Sequence, residues 1–226
     1  MIHWGNVPFV PFAVAVPDFE AFFHYDKQNE SAPVHYDRSG YLTIDDKRLS
    51  VIKYRQATDV RIAKDAAAYS LQKAFYHYLN LGGSSFQNHK YRELIEKLCS
   101  AGKSGSHENI RSLFNRLIGL GDGLTPSMDD VLTGFLAASN ELDPEHVCIR
   151  NELSETAIEL APLLTNRISA AFITAAARSY RFECLYRILS GDISAVNGMF
   201  AFGASSGKEM LLGAFSAACS IGLINL

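Results

Sequence analysis

The sequence predicts an α+β chain: a small N-terminal β-rich region over residues 1–62, then a larger, mostly helical region over 63–226. Three observations lead there. Up to about residue 62 the apolar residues alternate or run in short stretches broken by proline, as in Tyr41–Tyr54 and Val7–Val16. From Lys64 onward the apolar spacing changes to steps of three and four residues. No low-complexity tract or long linker separates the two regions.

Taken in order, Val7–Val16 carries Pro8 and Pro11 and suits an edge strand or extended segment. Gln28–Ser39 is polar and reads as a surface loop. Tyr41–Ile44 and Leu49–Tyr54 read as a hairpin turning at Asp45-Asp46-Lys47. The first helix spans Asp65–Leu79, with Ala68, Leu71, Phe75 and Leu79 on one face. Gly82-Gly83-Ser84-Ser85 ends it. A second follows over Gln87–Ser100, then a linker at Gly102–Ser106 and a third helix from Glu108 through Leu117. Further helices are predicted over 127–140, 150–164, 167–180, 182–190 and 206–223, with Pro162 kinking or ending one of them.

Composition narrows the function classes. The 226 residues are 48% hydrophobic and 20% charged, an ordinary globular balance. A net charge of -3 argues against nucleic-acid or anionic-membrane binding, so any anion site is local. No stretch reads as a signal peptide or membrane span, and the four cysteines are scattered, which together predict a cytoplasmic protein with reduced thiols. The seven histidines form no metal-ligand spacing, so no metal and no cofactor is expected.

The informative stretch is Gly119–Gly134. Gly119, Gly121 and Gly123 precede Thr125-Pro126-Ser127, Asp129, Asp130 and an apolar run. A glycine-rich loop entering a helix start lets main-chain N–H groups converge on an anion. Ser127 as N-cap would place Asp130 at the third helical position, an Asp version of the capping box. Ser206–Gly213 repeats the pattern of Ser127–Gly134 without gaps: Ser, two residues, an acid, an apolar residue, Leu, one residue, Gly. The small residues Gly134 and Gly213 would also let two helices cross closely. A third helix start follows Thr165-Asn166, either of which can cap it.

Arg167 and Lys208 stand in first helical turns, where the helix dipole disfavours cations, and so point to an anionic partner. For Arg167 that partner is Asp129, Asp130 or a ligand. Asp129 is open to a solvated or a catalytic role, whereas Asp130 reads as its own helix's cap. A dinucleotide loop is excluded because a helix, not a strand, precedes Gly119, and Gly207-Lys208-Glu209 breaks the phosphate-binding loop pattern.

Gly119–Gly134 resembles the signature of a bacterial family that includes AllH, a subunit of oxamate carbamoyltransferase: Gly-x-Gly-x-Gly-Leu-Thr-Pro-Ser-Gly-Asp-Asp-x-Leu-x-Gly. Thr165–Ser169 and Gly203–Gly213, with Ser205 and Ser206, resemble two further blocks, and the likeness covers residues 108–222. Met128 stands where glycine is usual, and Asp122 where proline is common. The resemblance implies carbamoyl transfer between oxalurate and phosphate, giving oxamate and carbamoyl phosphate, in anaerobic allantoin breakdown and alongside other protein subunits. On this reading Arg167 and Asp129 are catalytic, and Gly121, Gly123, Thr125, Ser127, Thr165, Asn166, Ser205, Ser206 and Lys208 bind the small anionic substrate. The alternative is a non-catalytic anion-binding or assembly subunit.

Overall fold

A computed structural model describes residues 2–3, 14–15, 34–36, 41–44, 47–50, 62–80, 87–104, 107–142 and 145–224. The chain divides into two compact units, Met1–Asp59 and Val60–Leu226.

In the first unit the described residues form five ladder segments of two to four residues. Tyr41–Ile44 pairs antiparallel with Lys47–Ser50, in a register that sets Ile44 opposite Lys47. The second strand therefore starts two residues before the predicted Leu49, and residues 51–54 lie outside the described residues. Val34–Tyr36, expected within a loop, pairs with Tyr41–Ile44. Val14–Ala15 pairs with Ile2–His3. The remainder of Val7–Val16 and the glycines at 82–83 also lie outside the described residues.

The α+β expectation is corrected. From residue 62 to 224 the described residues are helices and the turns joining them, without a strand. Segments of two to four residues fall short of a β layer on which helices could pack. Over the described residues from 62 onward the fold is all-α, which replaces the α+β class.

The helices are α1 (Lys64–Asn80), α2 (His89–Ser104), α3 (His107–Leu117), α4 (Ser127–Leu142), α5 (Val147–Leu164), α6 (Arg167–Ala177), α7 (Glu183–Leu189), α8 (Val196–Phe200) and α9 (Ser206–Ser220). A short 3-10 turn, Ile193–Ala195, leads into α8. That turn and α8 carry no periodic apolar face long enough to read from the sequence. Pro162 lies two residues before the end of α5 without stopping it. Gly102, assigned to a linker, is buried within α2, where a Cβ would lie 2.8 Å from Ser220 Oγ.

α4 and α9 form the centre. Every residue of Met128–Ser139 and of Glu209–Ser220 is buried, as expected for helices that are apolar or small on all sides. They cross where glycine replaces side chain on both helices. A Cβ on Gly134 would lie 1.8 Å from Met210 O, and one on Gly213 1.9 Å from Val131 O. Because Val131 aligns with Met210 and Gly134 with Gly213, the two contacts are reciprocal.

The other helices pack around this pair: α1 and α2 on α9, α6 on α4, and α5 on α6. Phe75 of α1 stacks on Phe215 of α9 at 3.9 Å between ring centroids. Each fully buried Leu, Ile or Phe on these faces stabilises by about 1.5–3 kcal/mol. Ser70 Oγ donates to Ile188 O at 2.7 Å, tying α1 to α7. Arg111 of α3 grips Glu159 of α5 with two hydrogen bonds, but the pair is exposed and contributes little. Among the described residues no helix is long and apolar enough to cross a membrane.

Candidate functional site

The loop between α3 and α4 takes its shape from three glycines in the left-handed region: Gly119 at φ 80°, Gly121 at 128° and Gly123 at 96°. Two also permit close approach. A Cβ on Gly119 would sit 2.5 Å from Leu164 O, and one on Gly121 2.4 Å from the Ser127 nitrogen. Met128 N donates to Leu120 O at 3.0 Å, folding the loop back over the start of α4. The tip stays outside, with Leu124 73% exposed.

The helix starts differ from expectation in their caps. Asp129 N and Asp130 N both donate to Pro126 O, at 2.9 and 3.3 Å. Proline, with φ fixed and no N–H to lose, occupies the capping position, and Ser127 is the first helical residue. Ser127 is thus not the N-cap, and Asp130 closes no capping box. The same holds for α9. Its N-cap position is Ser205, whose side chain makes no capping bond, and Ser206 is the first helical residue. At α6 the cap is Asn166, whose Oδ1 accepts from Ile168 N at 3.0 Å and Ser169 N at 3.1 Å.

Freed from capping, the polar side chains connect the three segments to one another. Thr125 Oγ1 and Ser206 Oγ share a hydrogen bond of 2.8 Å, joining the loop to α9. Asn166 Nδ2 donates to Leu124 O at 2.9 Å, joining the loop tip to α6. Asp129 carries the most weight. Its Oδ1 accepts from Gly119 N at 2.7 Å and its Oδ2 from Thr165 Oγ1 at 2.5 Å, with Ser169 bonding to it as well. Residues 119–130, 165–169 and 206 thus belong to one hydrogen-bonded cluster.

Asp129 is buried, not solvated, at 1% exposure. Burial raises its pKa, and the donors from Gly119, Thr165 and Ser169 oppose the rise. With both oxygens engaged, it pins the loop to the start of α6.

Asp130, the next residue of the same first turn, is 2% exposed and less well compensated. Burial pushes its pKa to about 7, against hydrogen bonds from Ser206 and Thr125, and the carboxylates of Asp129 and Glu209 push it further upward. Its Oδ2 is buried with no hydrogen-bond partner.

Arg167 is exposed and pairs with neither aspartate, Thr165 taking the place on Asp129 that the sequence left open for it. Lys208 is half-buried in the first turn of α9, and Ser205 is exposed at its cap. Gly121, Gly123, Thr125, Ser127, Thr165, Asn166 and Ser206 all lie in the loop or in the first residues at these helix starts. Glu209, buried at 1% exposure, was not singled out from the sequence. Its signal was present: it is the acid of the second Ser-x-x-acid pattern, equivalent to Asp130.

Among the described residues no group of three His, Cys, Asp or Glu side chains is placed to hold a metal ion. Neither a curated protein nor a solved structure matches the chain. Residues 117–218, which hold the glycine loop, α4, α6 and nearly all of α9, match the model of the family described as oxamate carbamoyltransferase subunit AllH, and over that region the chain is similar to this family.

Proposed function

We propose that the chain is a subunit of a carbamoyltransferase that works with partner proteins on a small carboxylate. Oxalurate and phosphate would be exchanged for oxamate and carbamoyl phosphate, with the anion held at the glycine loop. The observation that carries this reading is the hydrogen-bonded union of the loop with the starts of α6 and α9 through Asp129–Thr165, Asn166–Leu124 and Thr125–Ser206. Helix starts present positively polarised N–H groups, and the cations Arg167 and Lys208 stand in the first turns of α6 and α9.

In that arrangement Arg167 and Lys208 draw in the anion, and Thr125, Ser127, Ser205 and Ser206 offer hydroxyls. Gly121 and Gly123 give the backbone room to approach it. Asp129 serves by holding the loop in place. An oxyanion formed at the carbamoyl carbon would meet these donors, each of which contributes about 3–4 kcal/mol of barrier lowering in comparable sites.

A second reading, a non-catalytic anion-binding or assembly subunit, is favoured by one observation. Asp129, the candidate base, has both oxygens occupied by protein donors. Melting curves with phosphate, oxamate and carbamoyl phosphate test the anion site. Stabilisation lost in Arg167→Ala and Lys208→Ala supports it, and no shift with any of the three ligands refutes it. Turnover by the chain together with its partner subunits, but not without it, separates the catalytic from the assembly role.

A further inference from the structure

An anion site above three buried carboxylates poses an electrostatic problem. Asp129, Asp130 and Glu209 are each at most 2% exposed, and all belong to the first turns of α4 and α9. Asp129 is compensated by its donors, whereas Asp130 Oδ2 has none. An ionised oxygen in that position is costly, and its charge would repel a ligand carboxylate through a low-dielectric medium.

The hydroxyls of Thr125 and Ser206 bond to each other and to Asp130, and both residues are half-buried. With Asp130 ionised, the two hydroxyl protons are drawn inward, toward the carboxylate, and only lone pairs face outward. With Asp130 neutral, the direction reverses. The carboxyl donates to Ser206, Ser206 donates to Thr125, and Thr125 has an O–H to offer outward.

We infer that Asp130 is a positioning residue for the anion site: when it carries a proton it turns the Thr125–Ser206 pair outward as a donor, so that binding of a small carboxylate at the loop is coupled to uptake of one proton on Asp130. This rests on the anion-site reading above. The charged groups acting on Asp130 are Asp129 on its own helix and Glu209 on α9, while Lys208 is half-buried in the first turn of α9 and Arg167 exposed in the first turn of α6. Both carboxylates favour the neutral form.

Oxamate is a suitable probe because its own carboxylate does not titrate near neutrality. Calorimetric titration of the full chain with oxamate should give a Kd that is level in mild acid and weakens about tenfold per pH unit above neutrality. The binding enthalpy should vary with buffer ionisation enthalpy in the sense of proton uptake. Asp130→Asn, which cannot ionise, should abolish the pH slope. If that variant does not fold, the buffer dependence of the unmodified protein decides alone. Oxamate binding with a pH-independent Kd and no proton uptake overturns this inference and leaves the anion site standing. Absence of binding by oxamate, phosphate and carbamoyl phosphate at every pH overturns both.

Discussion

Gly134 of α4 and Gly213 of α9 each face the backbone of the other helix, a Cβ on the first falling 1.8 Å from Met210 O and on the second 1.9 Å from Val131 O. No side chain fits at either position without parting the helices. Gly134→Ala and Gly213→Ala are each expected to destabilise by about 3 kcal/mol or more, despite alanine's better helix propensity. Urea unfolding of the purified variants measures this, and a change within experimental error would refute the close crossing.

Among the described residues Asp129 accepts the hydrogen bonds of both Gly119 N and Thr165 Oγ1. Asp129→Ala leaves both donors without their partner and should cost about 2–4 kcal/mol. Thr165→Val, which removes one donor and keeps the shape, should cost less, about 1–2 kcal/mol. The same denaturation assay ranks the two, and the reverse order would contradict the clamp.

Ser127 gives a contrasting expectation. Because Pro126 holds the capping position, Ser127→Ala should change stability by no more than about 0.5 kcal/mol, in place of the ~1 kcal/mol expected of a true cap. A loss of a full kcal/mol would restore the capping role to the serine.

The pH dependence of stability follows from Asp130. Its pKa is about 7 in the folded chain against 3.8 for an unperturbed aspartate. The folded state therefore binds the proton more tightly, and the associated stability is complete below about pH 4 and lost as pH rises toward 7. The difference is on the order of 4 kcal/mol. Asp130→Asn should flatten this part of the profile and raise the melting temperature at pH 8. A variant that tracks the unmodified protein from acid to alkaline pH would show that Asp130 is ionised throughout.

Thiol reactivity reports on the same core. Burial pushes Cys99 and Cys184 to about 11 and Cys219 to about 12, while Cys148 is exposed at the start of α5. One thiol per chain should react rapidly with a thiol reagent in the native state, and all four after denaturation. More than one fast thiol would contradict the packing of α2, α7 or α9.

The helices with clean apolar stripes could be read from the sequence to within a few residues, α1 and α3 among them, because burial on one face leaves a periodic trace. The close glycine crossing was legible too, from the aligned Gly134 and Gly213. What misled was local chemistry. Short alternating runs around Tyr41 suggested a β region, although alternation over four residues does not specify a layer. Ser127 and Ser206 looked like caps because serine commonly caps, yet Pro126 and Ser205 hold those positions. The depth of Asp129, Asp130 and Glu209 had no local trace. Acidic residues in a first turn read as solvated, and only the packing of α4 against α6 and α9 buries them.

The loop's left-handed glycines have a practical consequence for transplantation. Residues 119–126 cannot carry their conformation into another scaffold by themselves. Gly119 is shaped by the Leu164 carbonyl, and Thr125 and Asp129 find their partners on α9 and at the α5–α6 junction. A graft that moved the loop with α4 alone would strand a buried carboxylate and unpair a threonine. The smallest portable module is discontinuous, made of the loop, both crossing helices and the junction at 164–169.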